Sequence, residues 1–529
     1  MTQSIAQSYM PVFTGAQAIE LAGRAPWWTP QIFNAKADGI HNDTTAVQAA
    51  IDSCGAAGGG VVFFPEGTYL ISAITVSSPN VYLVGSGIQN TIIKKSTSAA
   101  DTAAITISAN YCGVSNLTIK GVSVASFVGN ETAIDIVGVD DSTRRSNCIV
   151  DKVEVYDIGS YGVQAYYAKH LRVTNCYIHD VGYAGIGIWA SDYSIVTGNQ
   201  IHTVTPGTSS NVYGIFFSHK AVSDTRLKFA ICSDNQIYNL PIWEALDTHG
   251  GTHVTFTNNT IFECKRGIVA GIDTLNSYVP NYCNITNNTI DAGTLSTVDC
   301  GIIYAGVDGG ADVYGGVISN NIIRKHGNTN IDFGAIYVYD TNGLVISGNN
   351  IYDSKGVGIS LYRNNTGLAI QGNVINGIQA GVANATGIIA RSTANTGLIS
   401  DNYVDATAEI AVYATASNTS LQFGRNIFTS SSTPVLAGVE LLGRGLEIYG
   451  DLTFNPGSLV DGQGTDANIP VTGANLGDAV EFSAPYSLEG LTVTGYVQSV
   501  NTVYLRLQNE TGGPVDLGNG NWKIKVTKM

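Results

Sequence analysis

Basic side chains are scarce in this chain. Lys and Arg number 26 against 41 Asp and Glu, a formal charge of −15 over 529 residues. No cationic stripe is available to neutralise a phosphate backbone, which excludes nucleic acid as the partner. The same sign opposes docking on anionic lipid. Charged residues of both signs make up only 13%, against a usual ~25%. Cysteine is present without metal spacing: the eight residues at 54, 112, 148, 176, 232, 264, 283 and 300 form no C-x-x-C pair. No metal or other cofactor is therefore expected, and each cysteine reads as a free, small hydrophobe. No apolar run approaches the ~18 residues that a membrane span needs. The opening "MTQSIAQSYMPVF" lacks the basic start and apolar stretch of a secretion signal, so the expectation is a soluble protein.

What fills the space left by charge is Gly (61 residues) together with Val, Ile, Thr and Asn, the composition of short strands and tight turns. A phrase recurs: "SNLTI" ending at Ile119, "DKVEV" at Val155, "TNCYI" at Ile178, "GNQI" at Ile201 and "DNQI" at Ile237. It continues as "NNTI" at Ile261 and Ile290, "NNII" at Ile323, "GNNI" at Ile351, "GNVI" at Ile375 and "DNYV" at Val404. The shortest intervals are 23 and 24 residues, and the longer ones read as the same repeat with a loop added. A repeat this small cannot bury a face alone; stacked on its copies it makes an all-β, single-stranded parallel solenoid. Asn suits the turn because it tolerates left-handed backbone angles and its amide can bond along a ladder of like residues. A second strand type lies between the phrases: "YGVQAYY", "AGIGIWA", "YGIFFSH", "RGIVAGI", "CGIIYAG" and "GVGISLY". Its alternation sends one face into the coil and one outside.

A solenoid also needs a cap. Residues 33–70 read as a loop, a helix through Val47, Ala50 and Ile51 capped by Asp43 or Thr44 and stopped by "GAAGGG", then a strand. Such a helix covers an open sheet edge. The string "DGIHNDTTAVQAAID…GGGVVFFPEGTYLIS" resembles the opening segment of the pectate-lyase-like right-handed β-helix proteins. That superfamily includes bacteriophage tailspike depolymerases, alginate epimerases and pectin-degrading enzymes. The resemblance implies a right-handed parallel β-helix over residues 33–435, with activity on polysaccharide. The alginate epimerases' "YGFDPHE"-like string is absent, as are the pectin hydrolases' "NTD", "GHG" and "RIK".

Residues 445–529 lose the Asn phrase and alternate strongly between turns at "NPG", "DGQG", "ETGGP" and "GNGN". They read as a small antiparallel, sandwich-like β domain. It resembles modules on phage tail and fibre proteins that hold three chains together, which implies a homotrimer on a virion. Residues 1–32, with "APWWTP", read as an extended arm that could reach a phage tail or baseplate. A secreted bacterial enzyme is the alternative setting.

The chemistry concentrates in "IWEALDTHGG", where sister coils carry "GIGIWAS" and "YGIFFSH". Glu244, Asp247 and His249 replace apolar neighbours, and a packed interior does not accept such groups without a network. They are the candidate catalytic residues. Asp247 and His249, two apart on a strand, share a face; Glu244 and Asp247 do not, unless the strand bulges. Trp189, Trp243, Tyr166, His219, Lys265, Arg266 and Asp273 are the candidate substrate contacts. Hydrolysis of a bacterial surface polysaccharide by two carboxyl groups is the first expectation. Elimination is the alternative, with His249 or His219 as base and Lys265 and Arg266 as cations, in a lyase or epimerase. A glycan-binding fibre without catalysis is the third. Five other histidines, His41, His170, His179, His202 and His326, read as solvated turn residues.

Overall fold

The computed structural model describes residues 28–529, apart from 99–101, 124–130, 206–210, 220, 223, 308–312, 329–332, 379–384, 392–394, 406–409, 415–420, 425, 430–432 and 438–446. The arm therefore lies outside the described residues up to Trp27. Trp28 is ordered against Val62 by a parallel bridge, and its carbonyl accepts the Phe63 N–H at 2.9 Å. The described residues form two compact units, 28–260 with Asp273–Tyr278, and Ile261–Ile272 with Val279–Met529. Among them, no helix is long and apolar enough to cross a membrane.

The first unit opens with the expected helix, Thr44–Ala56, which buries Val47, Ala50, Ile51 and Cys54. Asp43 stands at its N-cap position, where its carbonyl accepts the Val47 N–H at 2.9 Å but its side chain makes no cap bond. Its carboxylate turns back instead to accept the Lys36 and Ala37 amides at 2.6 and 3.0 Å, fixing the preceding loop. The strands that follow pair in parallel, coil on coil: Gly113–Lys120 with Ile149–Tyr156, and Tyr177–Val181 with Gln200–Val204. Val155, Ile178, Ile201 and Ile237 stack in register in the interior.

From "GNQI" onward, two adjacent residues of the phrase divide the work that one Asn was expected to do. In "GNQI", "DNQI" and "TNNTI" the first takes the left-handed turn: Gly198, Asp234 and Asn258 have φ of 69°, 58° and 56°. The second, Asn199, Asn235 or Asn259, is buried and forms the ladder. Asn199 donates from both its backbone N and Nδ2 to Oδ1 of Asn235, at 3.0 and 2.9 Å, and Asn235 does the same to Asn259. All eight cysteines are free and buried, in keeping with their apolar settings.

The second unit repeats the device. Asn288, Asn321, Asn349, Asn373, Asn402 and Asn426 form an unbroken ladder, beside parallel strands such as Gly334–Tyr339 and Val357–Leu361. His326, expected in solvent, is fully buried there, and its Nδ1 lies 3.2 Å from the Asp299 carbonyl. The C-terminal segment is antiparallel. Gly520–Thr527 pairs between Glu447–Phe454 and Ala479–Ser483, and Thr502–Gln508 between Gly464–Pro470 and Thr492–Ser499. Trp522, Ile524, Leu505 and Leu507 form its core.

Candidate functional site

Four parallel strands of the first unit carry the cluster: Tyr161–Tyr166, Ala184–Trp189, Tyr213–Ser218 and the last half of Gln236–His249. Tyr161, Ala184, Tyr213 and Glu244 stand in one register row, and Gln164, Gly187, Phe216 and Asp247 in another. The row between them, Val163, Ile186, Ile215 and Leu246, is interior. Just before it come Gly162, Gly185, Gly214 and Ala245. A Cβ on these glycines would stand 2.6, 2.6 and 2.7 Å from Ile178, Ile201 and Ile237, so this position also faces inward. Two consecutive inward residues break the alternation. The residues flanking them therefore emerge on the same outer face, Tyr213 with Phe216 and Glu244 with Asp247. The obstacle raised by strict alternation is removed without an inserted residue.

The result is an acidic cluster with an aromatic wall. One oxygen from each of Glu244 and Asp247 and one ring nitrogen of His249 lie within 4.8 Å of one another. His249 Nδ1 is 2.7 Å from Asp247 Oδ2; the Asp247 side chain is 1% exposed, that of His249 31%. The imidazole thus turns one edge to a buried carboxylate and keeps part of its surface in solvent. Burial alone would push its pKa down, but Asp247, then Glu244 and Asp273, outweigh that and lift it to about 9. Held that way, His249 is an imidazolium at neutral pH with Nε2 on the side away from Asp247.

The wall consists of Tyr161, Tyr213 and Phe216, with Tyr183, Trp189 and Trp243 packed on them. Trp189 stacks on Tyr166 at 6.0 Å and meets Phe216 edge-on at 4.7 Å. Burial and then the Asp247 and Glu244 carboxylates push the Tyr183 phenol up to about 12, and the same causes raise Tyr213 further. Both phenols keep their protons at neutral pH and can donate them. Neither tyrosine was expected from the sequence. Their signal was the aromatic residue opening successive strands, "YGVQ", "YAGIG" and "YGIFF".

Other expected contacts are engaged by neighbouring groups. His219 is buried: its Nε2 accepts the Leu227 N–H at 2.8 Å and its Nδ1 lies 3.2 Å from the His249 carbonyl. Accepting at Nε2 fixes the proton on Nδ1, and burial lowers the ring's pKa. His219, expected as base or sugar contact, is held by these bonds beneath the strand end. Asp273 caps a turn, accepting the Leu275 and Asn276 amides at 3.1 and 3.2 Å, and adds field to His249. Lys265 and Arg266 belong to the second unit. Arg266 Nε binds Asp299 at 3.0 Å, and the Lys265 carbonyl accepts the Asp299 N–H.

Glu244, Asp247 and His249 are also the one group of His, Cys, Asp and Glu donors, among the described residues, close enough to share a divalent cation. A cation there would displace the proton that His249 holds against Asp247. Metal binding and the imidazolium are therefore mutually exclusive at this cluster.

The pair has a testable pH signature. Because the folded-state pKa of His249 lies above its ordinary 6.5, its contribution to stability is complete below about 6.5 and is lost as pH rises through about 9. Denaturant unfolding across that window is expected to show the loss in the native chain and not in His249→Gln.

The family model for "Rhamnogalacturonase A/epimerase, pectate lyase-like" proteins matches residues 31–293. Mannuronan C5-epimerase AlgE3 of Azotobacter vinelandii is 31% identical over 180 residues, 31% of this chain and 10% of the epimerase. Alginate lyase 7 of the same organism is 32% identical over 185 residues, 31% of this chain and 20% of the lyase. The matched stretch is thus a minor part of either relative's length. Among solved structures, a tailspike variant of E. coli bacteriophage HK620, in complex with a hexasaccharide, superposes with a TM-score of 0.65 at 13% identity. The match covers 97% of this chain and 94% of that one. With its parallel coils, its helical cap and this family match, the stretch 31–293 belongs to the pectate-lyase-like β-helix superfamily.

Proposed function

We propose that the chain is a polysaccharide-active enzyme that removes the C5 proton of a hexuronate residue, the step common to epimerisation and elimination. The observation that carries this reading is the cluster of buried Glu244 and Asp247 with part-exposed His249 beside an aromatic wall. The partial match to uronate epimerases and a lyase supports it. Glu244 takes the C5 proton while the C5–H electron pair moves into the substrate carboxyl group. The His249 imidazolium, aligned by Asp247, offsets the charge that develops there. The Tyr213 or Tyr183 phenol returns a proton, to C5 in epimerisation. In elimination it goes to O4 as the C4–O4 bond breaks and the electron pair forms the C4–C5 double bond.

A second reading, hydrolysis in a tailspike-like depolymerase, is favoured by one feature: the close approach of Glu244 and Asp247, nearer the ~5–5.5 Å of retaining hydrolases than the ~6.5–9.5 Å of inverting ones. A homotrimer, a virion setting and the C-terminal module as its clasp belong to that reading. One experiment separates the outcomes: incubation with mannuronan and a panel of bacterial surface polysaccharides in D2O. Deuterium at C5 without chain cleavage marks epimerisation, absorbance near 232 nm marks elimination, and new reducing ends without either mark hydrolysis. If none of the three is produced, the chain is a binding protein.

A further inference from the structure

The second unit carries an aromatic and cationic patch that the cluster chemistry does not use. In the strand Gly334–Tyr339, Tyr337 and Tyr339 flank the interior Val338, so both stand on the outer face. Tyr337 lies 5.2 Å from Tyr339 and 5.9 Å from Tyr362, and Phe333 closes on it at 5.0 Å. The Arg363 guanidinium sits over the rings of Tyr339 and Tyr362, at 5.4 and 5.7 Å. Its Nε is anchored at 3.0 Å to the buried Asp340. Arg266, anchored at 3.0 Å through its own Nε to Asp299, is close enough to act electrostatically on Tyr339. Side-chain exposures of 21% for Arg266 and 23% for Arg363 leave part of each at the surface.

This composition is unusual for the chain. It gathers two of only 26 basic residues in a protein of charge −15 beside three tyrosines and a phenylalanine. An Nε–carboxylate bond together with a ring face fixes the plane of an arginine, which is what planar recognition of a carboxylate requires. Ring edges and phenol groups suit the C–H faces and hydroxyls of a sugar.

We infer that Phe333, Tyr337, Tyr339, Tyr362, Arg363 and Arg266 form a second binding site, for a carboxylated sugar residue of an anionic polysaccharide. The inference rests on the polysaccharide reading above and extends it to a site that holds polymer without reacting with it. Its use would be retention: a chain held here remains available to the reactive cluster after each turnover.

The test is titration calorimetry of the full chain, carrying Asp247→Asn to prevent turnover, with a hexuronate oligosaccharide and with its neutral hexose counterpart. The expected result is uronate binding that weakens ~tenfold in Tyr362→Ala and in Arg363→Gln and falls with added salt. Arg363→Lys, which keeps the charge against Asp340 but not the fork, is expected to weaken it similarly while melting like the parent. Unchanged affinity in Tyr362→Ala and Arg363→Lys would overturn the site. Equal binding of the neutral oligosaccharide would overturn its preference for carboxylate. Uronate binding with these sensitivities, in a chain whose native form neither epimerises nor cleaves uronate, would retain the site and remove the proposed reaction.

Discussion

Asp247→Asn is expected to lower kcat/KM by at least ~10³-fold, at the scale of losing an acid–base group. Two lesions coincide in this one change. The amide still fits the space and can accept the His249 Nδ1–H, so the ring stays near its position. It no longer carries the charge that holds the proton on that ring. With Asp247 neutral, the burial that opposes charging His249 is countered only by Glu244 and Asp273, and the imidazolium is lost at neutral pH. NMR titration of the His249 ring checks this separately from activity: its midpoint should fall from about 9 toward or below 6.5. A purely orienting Asp247 would give a loss of rate with an unmoved midpoint. Full turnover with the midpoint shifted would remove the pair from the reaction and leave Glu244 and the phenols to carry it.

The same residues show where sequence reasoning reached and where it stopped. The coil register could be read directly, because Ile178, Ile201 and Ile237 recur at turn-defined intervals and a one-residue slip would expose all of them. That is why "WEALDTHG" aligns with "YGIFFSH" as the backbone pairs them, Phe216 against Asp247. The shared face of Glu244 and Asp247 was not legible. It depends on Ala245 and Leu246 both turning inward, and a period-two rule has no term for that. The role of Gly214 and its equivalents, which admit the neighbouring isoleucine, becomes visible only when a Cβ is placed there. His326 was misread for a related reason. A histidine in a turn is solvated or buried according to loop packing, and Asp299 supplies its partner from another part of the chain. Tyr183 and Tyr213 escaped notice because each merely opens an apolar strand; their chemistry arises from carboxylates one and two coils away.

The largest structural effect is expected in the second unit's ladder, at Asn321. Its Oδ1 accepts two bonds from Asn288, from the backbone N and Nδ2, both at 3.0 Å. Its Nδ2 donates to the Ile285 carbonyl at 2.8 Å and to Asn349 Oδ1 at 2.9 Å. Asn321→Ala removes all four bonds and leaves donors and an acceptor of buried neighbours without partners. The expected cost is ~3 kcal/mol or more, because stranded buried groups cost more than the lost bonds alone. Asn321→Asp should be no milder: a carboxylate only accepts, so it faces the Ile285 carbonyl and Asn349 Oδ1 with no proton to offer. The adjacent Asn320 gives the opposite outcome. It sits at φ 56°, where a side chain is tolerated rather than required, so Asn320→Gly should change stability by less than ~1 kcal/mol. Denaturant unfolding of the three variants, with hydrogen exchange at the Asn288 and Asn349 amides, measures the contrast. Equal costs at 320 and 321 would mean that the turn, not the ladder, fixes the coils. A large loss at 321 alone would show that the amide column holds the stacked coils in the register that brings side chains from different coils onto one outer face.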